Sequence, residues 1–579
     1  MQKIIDLFIK ENILDEEKLK LFIDKYGEER LSIANLLKVR LLEQEKVDEI
    51  LLQSLRMQTL ELDDLEGIQG IDTTDLLKKQ AKKAGIKYID ISSIDIDYKL
   101  IKRLPLKQLM RYSALPLYVE DSQVTVAFEN PNDFEAKGAI ERFFHGKIME
   151  VALGRKAIIH QVLSQLHENE QVEEFSVDIK SDLEEGGNDN SADNESPAVL
   201  KLIELILSSA ITKGASDLHI EATEKHCLVR FRIDGMLQEN FRTDHGIFSP
   251  LASRMKLLSN LDIAEKRKPQ DGRFTKIVNG RVFDFRVSTL PTMFGESIVM
   301  RVLDKTKALV KLEEAGMNPT SYKKFLQGIH SPYGIVLVTG PTGSGKTTTL
   351  YGALNEIMNV KDKTITVEDP VEYQMDGIQQ VQINATAGLD FPAALRSILR
   401  QDPDKIMIGE IRDQETLRIA IQAALTGHLV ISTLHTNSAV AAIGRMIDMG
   451  IESYLISGAV VAIQGQRLVR KICQSCKEEA VLSTTLKEDI KKYVPENSKF
   501  YAGKGCPVCN GSGYVGREMI SEVLTVSDTL STMIANGVTK DELEKQANSE
   551  GFFSMFQDGL QKALEGKTTV EEIIRVARS

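Results

Sequence analysis

The residues best suited to chemistry form one run, Gly340-Pro341-Thr342-Gly343-Ser344-Gly345-Lys346-Thr347, with Thr348 next. The run fits GxxxxGK[ST]. An apolar segment, Ile335-Val336-Leu337-Val338, precedes it, and a helical pattern starts near Lys346. Glycines in such a loop let backbone N–H groups curl around phosphates, and the following helix points its positive end at them. Lys346 is placed to reach the β- and γ-phosphates of a nucleoside triphosphate, and Thr347 to hold Mg²⁺. Two acidic elements follow, Glu368-Asp369-Pro370-Val371-Glu372 after the apolar run 364–367, and Glu410 after Ile406-Met407-Ile408-Gly409. Carboxylates at strand ends beside a phosphate loop orient water or Mg²⁺. His428 and His435 flank the next run, Leu429-Val430-Ile431-Ser432. Either is an ordinary structural histidine or, for His435, a polar contact to a γ-phosphate.

A second chemistry sits at Cys473-Gln474-Ser475-Cys476 and Cys506-Pro507-Val508-Cys509, with 29 residues between the pairs. Four thiolates from two tight turns suit a closed tetrahedral Zn²⁺ site with no open catalytic position. The spacing exceeds the usual zinc ribbon and points to an extended knuckle, with a redox role for either pair as the other reading. The fifth cysteine, Cys227, lies in a strand-like segment and reads as a small packed side chain.

These groups need elements to hold them. At 579 residues the chain is long enough for three to five domains. Its 42% hydrophobic and 27% charged content is that of a globular protein. A net charge of −12 argues against a nucleic-acid partner. No run approaches the roughly 18 apolar residues of a membrane span, and the amphipathic start is not a signal peptide, so a cytoplasmic protein is expected. Residues 1–66 carry leucines and isoleucines at helical spacing and predict a helical bundle. Residues 72–167 mix helix and strand signals, with Val124–Phe128 strand-like. The segment 168–197 holds eleven acidic residues and one lysine, and predicts a flexible linker, with an ordered acidic loop as the alternative. Residues 198–305 predict an α+β domain with strands over Leu228–Ile233 and Val282–Val287. Residues 306–579 alternate buried strands with helices, the pattern of an α/β domain with a mostly parallel sheet. The cysteine insertion occupies about 470–512.

Beyond these local readings, the chain resembles the secretion ATPases that power type II secretion and type IV pilus assembly. The likeness spans roughly residues 72–579. It rests on Gly214-Ala215-Ser216-Asp217-Leu218-His219-Ile220-Glu221, on Pro269-Gln270-Asp271-Gly272-Arg273, on the phosphate loop, on the acidic box Glu368–Tyr373, on the strand ending Gly409-Glu410 and on the histidine box Thr426–His435. The resemblance implies a RecA-like P-loop core, a preceding PAS-like α+β domain, a small zinc-binding insertion and helical and α+β N-terminal domains. It implies Glu372 as the carboxylate that orients water, Glu410 as the acid supporting Mg²⁺ and His435 as a γ-phosphate sensor. Arg230, Arg396, Arg400 and Arg517 match the family's phosphate-neutralising positions, while His245 stands where some relatives carry a further arginine.

The resemblance also implies a homohexamer with ATP between subunits, working on an inner-membrane platform protein and an accessory cytoplasmic protein docked at the membrane. Some relatives bind cyclic di-GMP through an Arg-Leu-Gly start near the N-terminus. Here Arg30-Leu31-Ser32 lacks the glycine, so the leucines read as core and cyclic di-GMP is not expected. Pilus assembly is the expected task, type II secretion the runner-up, and a low-turnover nucleotide-gated scaffold a rival of another kind.

Overall fold

The computed structural model describes every residue except 1, 28–30, 58, 61–63, 66, 67, 69, 95, 186–195, 305–310, 496, 578 and 579. The chain divides into two compact units. One is residues 1–170 with the short segments 474–476 and 505–512, and the other is 171–473, 477–504 and 513–579.

In the first unit, helices Gln2–Lys10, Glu16–Tyr26, Ile33–Lys38 and Gln44–Arg56 bury Ile4, Phe8, Leu19, Leu36 and Leu51. Of these, Leu19, Leu36 and Leu51 are among the leucines whose three- and four-residue spacing predicts the bundle, whereas Leu21, spaced likewise, is exposed. Ser32 caps its helix by accepting from the Asn35 N–H at 3.2 Å, and Arg30 lies outside the described residues. Strands β1 (Lys87–Tyr88), β2 (Ala114–Glu120), β3 (Gln123–Phe128) and β4 (Ile148–Leu153) form a sheet in the order β1-β4-β3-β2. Val124–Phe128 is therefore a strand, and a buried one.

The acidic stretch 168–185 departs from expectation. It is the second half of a 30-residue helix, Lys156–Glu185, not a linker. Val172 and Ile179 are 4% and 1% exposed, and pack with helix Pro197–Thr212. Their seven-residue spacing puts both on one helical face, and the acids occupy the solvated side. Residues 186–195 of the expected linker lie outside the described residues.

The second unit holds two larger sheets. Strands β5 (Asp217–Ala222), β6 (His226–Ile233), β7 (Met236–Asp244), β8 (Gln270–Val278), β9 (Arg281–Thr292) and β10 (Gly295–Asp304) form an antiparallel sheet, β7-β6-β5-β10-β9-β8. Its strands alternate. Phe283, Phe285 and Val287 of β9 enter the core against helices Pro197–Thr212 and Phe248–Leu258, while Asp284 and Arg286 take the other face. Cys227 is fully buried in β6, and burial pushes its thiol up to about 12.

Strands β11 (Gly334–Thr339), β12 (Thr364–Glu368), β13 (Gln379–Gln382), β14 (Lys405–Ile408), β15 (Leu429–Leu434), β16 (Val460–Ile472) and β19 (Tyr514–Thr525) form the seven-stranded sheet β13-β12-β14-β15-β11-β16-β19. All pairings are parallel except β16 with β19. Central β11 is buried along its whole length, as its uninterrupted apolar run requires. The insertion adds a two-stranded ribbon, β17 (Lys477–Ala480) with β18 (Phe500–Gly503). The whole is an α/β, RecA-like P-loop core preceded by an α+β domain.

Candidate active site and metal centre

The phosphate loop connects the C-terminal end of β11 to helix Lys346–Ile357. Two of its glycines are required by geometry. Gly345 caps the helix with φ at 88°, and a Cβ on Gly340 would stand 2.4 Å from Ser344 Oγ and 2.7 Å from Gln466 O. Lys346 Nζ folds into the loop and donates to the carbonyls of Gly340 (2.8 Å) and Pro341 (3.1 Å). Burial lowers its pKa, partly opposed by the charge of Glu410. These two carbonyls hold the ammonium where an incoming phosphate would replace them.

Behind the loop lies a buried amide network. Gln466 of β16 is fully buried. Its Nε2 donates to Ser344 O at 2.8 Å, and its Oε1 accepts from Thr349 Oγ1 and Gln464 Nε2, both at 2.9 Å. Two fully buried glutamines following the apolar run Val460–Ile463 are costly unless paired. That is the signal by which the sequence could have marked them.

The loop opens on a cavity of about 940 Å³. Thr347, Thr348, Glu372, Glu410 and His435 all line it. Of the acidic box, Glu368 is 4% exposed and fully engaged, accepting from Tyr351 Oη (2.5 Å), Thr366 Oγ1 (2.7 Å) and Gln380 Nε2 (3.2 Å). Glu372 lines the cavity as well, and there Arg286 of β9 grips it, Nη1 to Oε1 at 3.1 Å and Nη2 to Oε2 at 2.7 Å. Glu410 accepts from Arg412 and stands 3.3 Å from His435 Nε2. Burial pushes the Glu410 carboxyl up, but the hydrogen bonds and charges of Arg412 and His435 outweigh it, so the group ionises below the usual range. His428 has no place here. Its Nδ1 lies 2.8 Å from Ala423 O at a helix end.

The arginines divide. Arg517 lines the cavity, facing Asp234 at 3.6 Å. Arg230 pairs with Glu221 at 2.5 Å, Arg396 pairs with Glu415, and Arg400 donates to Ser397 Oγ at 3.3 Å; none of the three lines this cavity. His245 Nδ1 lies 2.7 Å from Thr223 O. The cavity is lined instead by arginines that the motifs did not mark, Arg232, Arg286, Arg301, Arg412, Arg467 and Arg575. Arg467 is 7% exposed, donates to Gln466 O and Asn437 O at 2.9 Å, and has its pKa lowered by burial. These residues come from six separate segments, and only folding gathers them.

Cys473, Cys476, Cys506 and Cys509 are all buried, and their Sγ atoms lie within 4.8 Å of one another. The Cys476–Cys509 and Cys506–Cys509 separations are 3.8 and 3.6 Å. A tetrahedron with Zn–S bonds of about 2.3 Å has edges of about 3.8 Å, so the donor set fits a closed four-thiolate metal site.

Comparison with known proteins agrees with this geometry. Residues 192–575 match the family described as "Type II/IV secretion system protein", and residues 84–173 match the MshEN domain. The chain is 44% identical over 425 residues to the type II secretion system protein E of Dickeya dadantii, covering 72% of this chain and 85% of that protein. It is 40% identical over 514 residues to the type IV pilus assembly ATPase PilB of Myxococcus xanthus, covering 86% and 90%. The crystal structure of the Legionella pneumophila ATPase DotB superposes with a TM-score of 0.50 at 20% identity over 66% of this chain and 96% of that one, a likeness of fold. No helix among the described residues is long and apolar enough to cross a membrane. With a complete phosphate loop, two cavity-facing carboxylates and this relationship, the chain belongs to the type II/IV secretion system protein family and is an ATP hydrolase of the traffic ATPases.

Proposed function

We propose that the protein is a hexameric cytoplasmic motor that couples ATP hydrolysis to assembly of a type IV pilus through an inner-membrane platform protein. The observation that carries the reading is the shared cavity. Lys346 and Thr347 from the P-loop core, Glu372 and Glu410 from its strand ends, and arginines from the antiparallel sheet all face one space. A site assembled from two folds opens and closes when they move, which is how hydrolysis becomes mechanical work.

In this reading the loop amides and Lys346 hold the β- and γ-phosphates. Thr347 and Glu410 hold Mg²⁺, which supplies charge neutralisation at the phosphate oxygens. Glu372 orients the attacking water, and His435, held by Glu410, senses the γ-phosphate. Arg517 neutralises charge within the chain. Arg230, Arg396 and Arg400 stand outside the cavity of their own chain and act on nucleotide across a subunit boundary, so isolated monomers hydrolyse slowly. Zn²⁺ in the four-cysteine site is structural. Membrane association comes through the platform protein and an accessory cytoplasmic partner; nucleic acid and cyclic di-GMP are not partners.

Similarity at 44% and 40% identity to proteins named for secretion and for pilus assembly keeps type II secretion as the second reading. Deletion scored for both surface fibres and secreted proteins tests this. Loss of fibres alone supports pilus assembly, and loss of secreted proteins with fibres intact overturns it. A scaffold with little turnover is tested by steady-state phosphate release from the full-length protein.

A further inference from the structure

The register of the antiparallel sheet puts a row of charges across five strands. Arg232 on β6 stands opposite Asp217 on β5, Asp217 opposite Arg301 on β10, Arg301 opposite Arg286 on β9, and Arg286 opposite Arg273 on β8. Directly opposed residues share a face, and like charges placed so repel. Four arginines in one row therefore need counter-anions. Asp217 serves two of them, at 3.7 Å from Arg232 Nε and 3.3 Å from Arg301 Nε. The anion for Arg286 comes from the P-loop core. It is Glu372, gripped through both carboxylate oxygens while Arg286 and Glu372 are only 28% and 24% exposed.

We propose that Arg286 exchanges partners during the ATP cycle, from Glu372 in the empty site to the γ-phosphate in the ATP-bound site. This rests on the reading of Glu372 as the group that orients water. A carboxylate with both oxygens committed to a guanidinium fork is poorly placed to accept from water, so the empty site is held off. A terminal phosphate offers the same fork geometry with more negative charge. Arg286 and Glu372 line the same cavity as Lys346 and Thr347, so phosphate and carboxylate compete for one cation in one space. ADP lacks the competing group, which makes the release specific to ATP.

The test is a binding cycle on the full-length protein with Mg²⁺, using a non-hydrolysable ATP analogue and ADP. Wild type, Glu372→Gln, Arg286→Gln and the double variant are compared. Glu372→Gln frees Arg286 and is expected to tighten analogue binding about tenfold, the scale of one charge-assisted bidentate contact. ADP affinity is expected to stay within about twofold, because no contact of ADP changes. In the Arg286→Gln background the gain disappears. An equal gain in both backgrounds, or an Arg286→Gln shift of the same factor for analogue and ADP, overturns the exchange and leaves a static pair joining two folds. If thermal melting shows Arg286→Gln to be unfolded, Arg286→Lys replaces it. Lysine keeps the charge without the fork, and a gain undiminished in that background equally overturns the proposal. Wild-type phosphate release by Glu372→Gln would defeat the reading of Glu372 instead, a result separate from the binding cycle.

Discussion

Replacing Gln466 with leucine tests whether the phosphate loop is held from behind. Leucine keeps most of the volume and removes three hydrogen bonds, to Ser344 O, Thr349 Oγ1 and Gln464 Nε2. Two of the abandoned groups have poor alternatives. Thr349 Oγ1 retains Gly345 O at 3.4 Å, and Gln464 Nε2 retains the Met519 sulfur at 3.8 Å. A buried polar group left unpaired costs about 1–3 kcal/mol, so with these partial substitutes the sum is about 3 kcal/mol. In a chain with several domains this will not read cleanly as a global unfolding energy. It should read locally. Amide exchange over residues 344–349 is expected to accelerate about a hundredfold, the kinetic equivalent of that energy. Thr349→Val should do less, about 1 kcal/mol, and the double variant should fall short of the sum because both changes break the same network. Mass-spectrometric exchange of the full-length protein reads all three. Wild-type protection over 344–349 in Gln466→Leu would refute the idea that β16 holds the loop.

Lys346→Ala should abolish ATP hydrolysis and weaken nucleotide binding, whereas Glu372→Gln should abolish hydrolysis and keep binding; a phosphate-release assay beside a binding assay separates them, and normal turnover in Glu372→Gln defeats its assignment. Cys476→Ser should lose the single zinc equivalent per chain that metal analysis of the wild type is expected to find, and a variant that keeps full zinc would show that the four thiolates are not the ligand set. Glu572 is 2% exposed and bonded to Arg470 and Arg575, which outweigh the upward push of burial and hold its carboxyl at about 2. Because the folded value lies below the unfolded 4.5, its stabilisation of about 3 kcal/mol is present above pH 4.5 and fades as pH falls toward 2. Glu572→Gln should therefore melt lower than wild type at pH 7, with a gap that narrows below pH 4.5; a gap independent of pH refutes the ion-pair account. A Cβ on Gly503 would meet Gly513 O at 2.1 Å, so Gly503→Ala should loosen the cysteine hairpin and speed zinc release to a chelator.

The features readable from the sequence are those whose physics is local. A phosphate loop is eight consecutive residues between an apolar run and a helix, and the chain forms that strand–loop–helix unit at 334–357. The CxxC pairs are short turns whose spacing declares them, and the strands over 228–233, 282–287, 335–338 and 429–432 follow from alternation or from unbroken apolar runs. In the stretch 168–185 the acidic composition points to a linker, while the seven-residue period of its apolar residues is that of the helix it forms. Its eight acids signal a solvated face, and Val172 and Ile179 supply the buried one. Which cations meet the nucleotide cavity was decided by tertiary structure alone. Arg286 faces away from the core because Phe283, Phe285 and Val287 take the other side of β9, and it meets Glu372, 86 residues on, because the segment after β12 lies against that outward face. No local pattern encodes that meeting. Strand register fixes the row of arginines, domain packing fixes what the row faces, and both depend on contacts between residues too distant in the chain to leave a periodic trace.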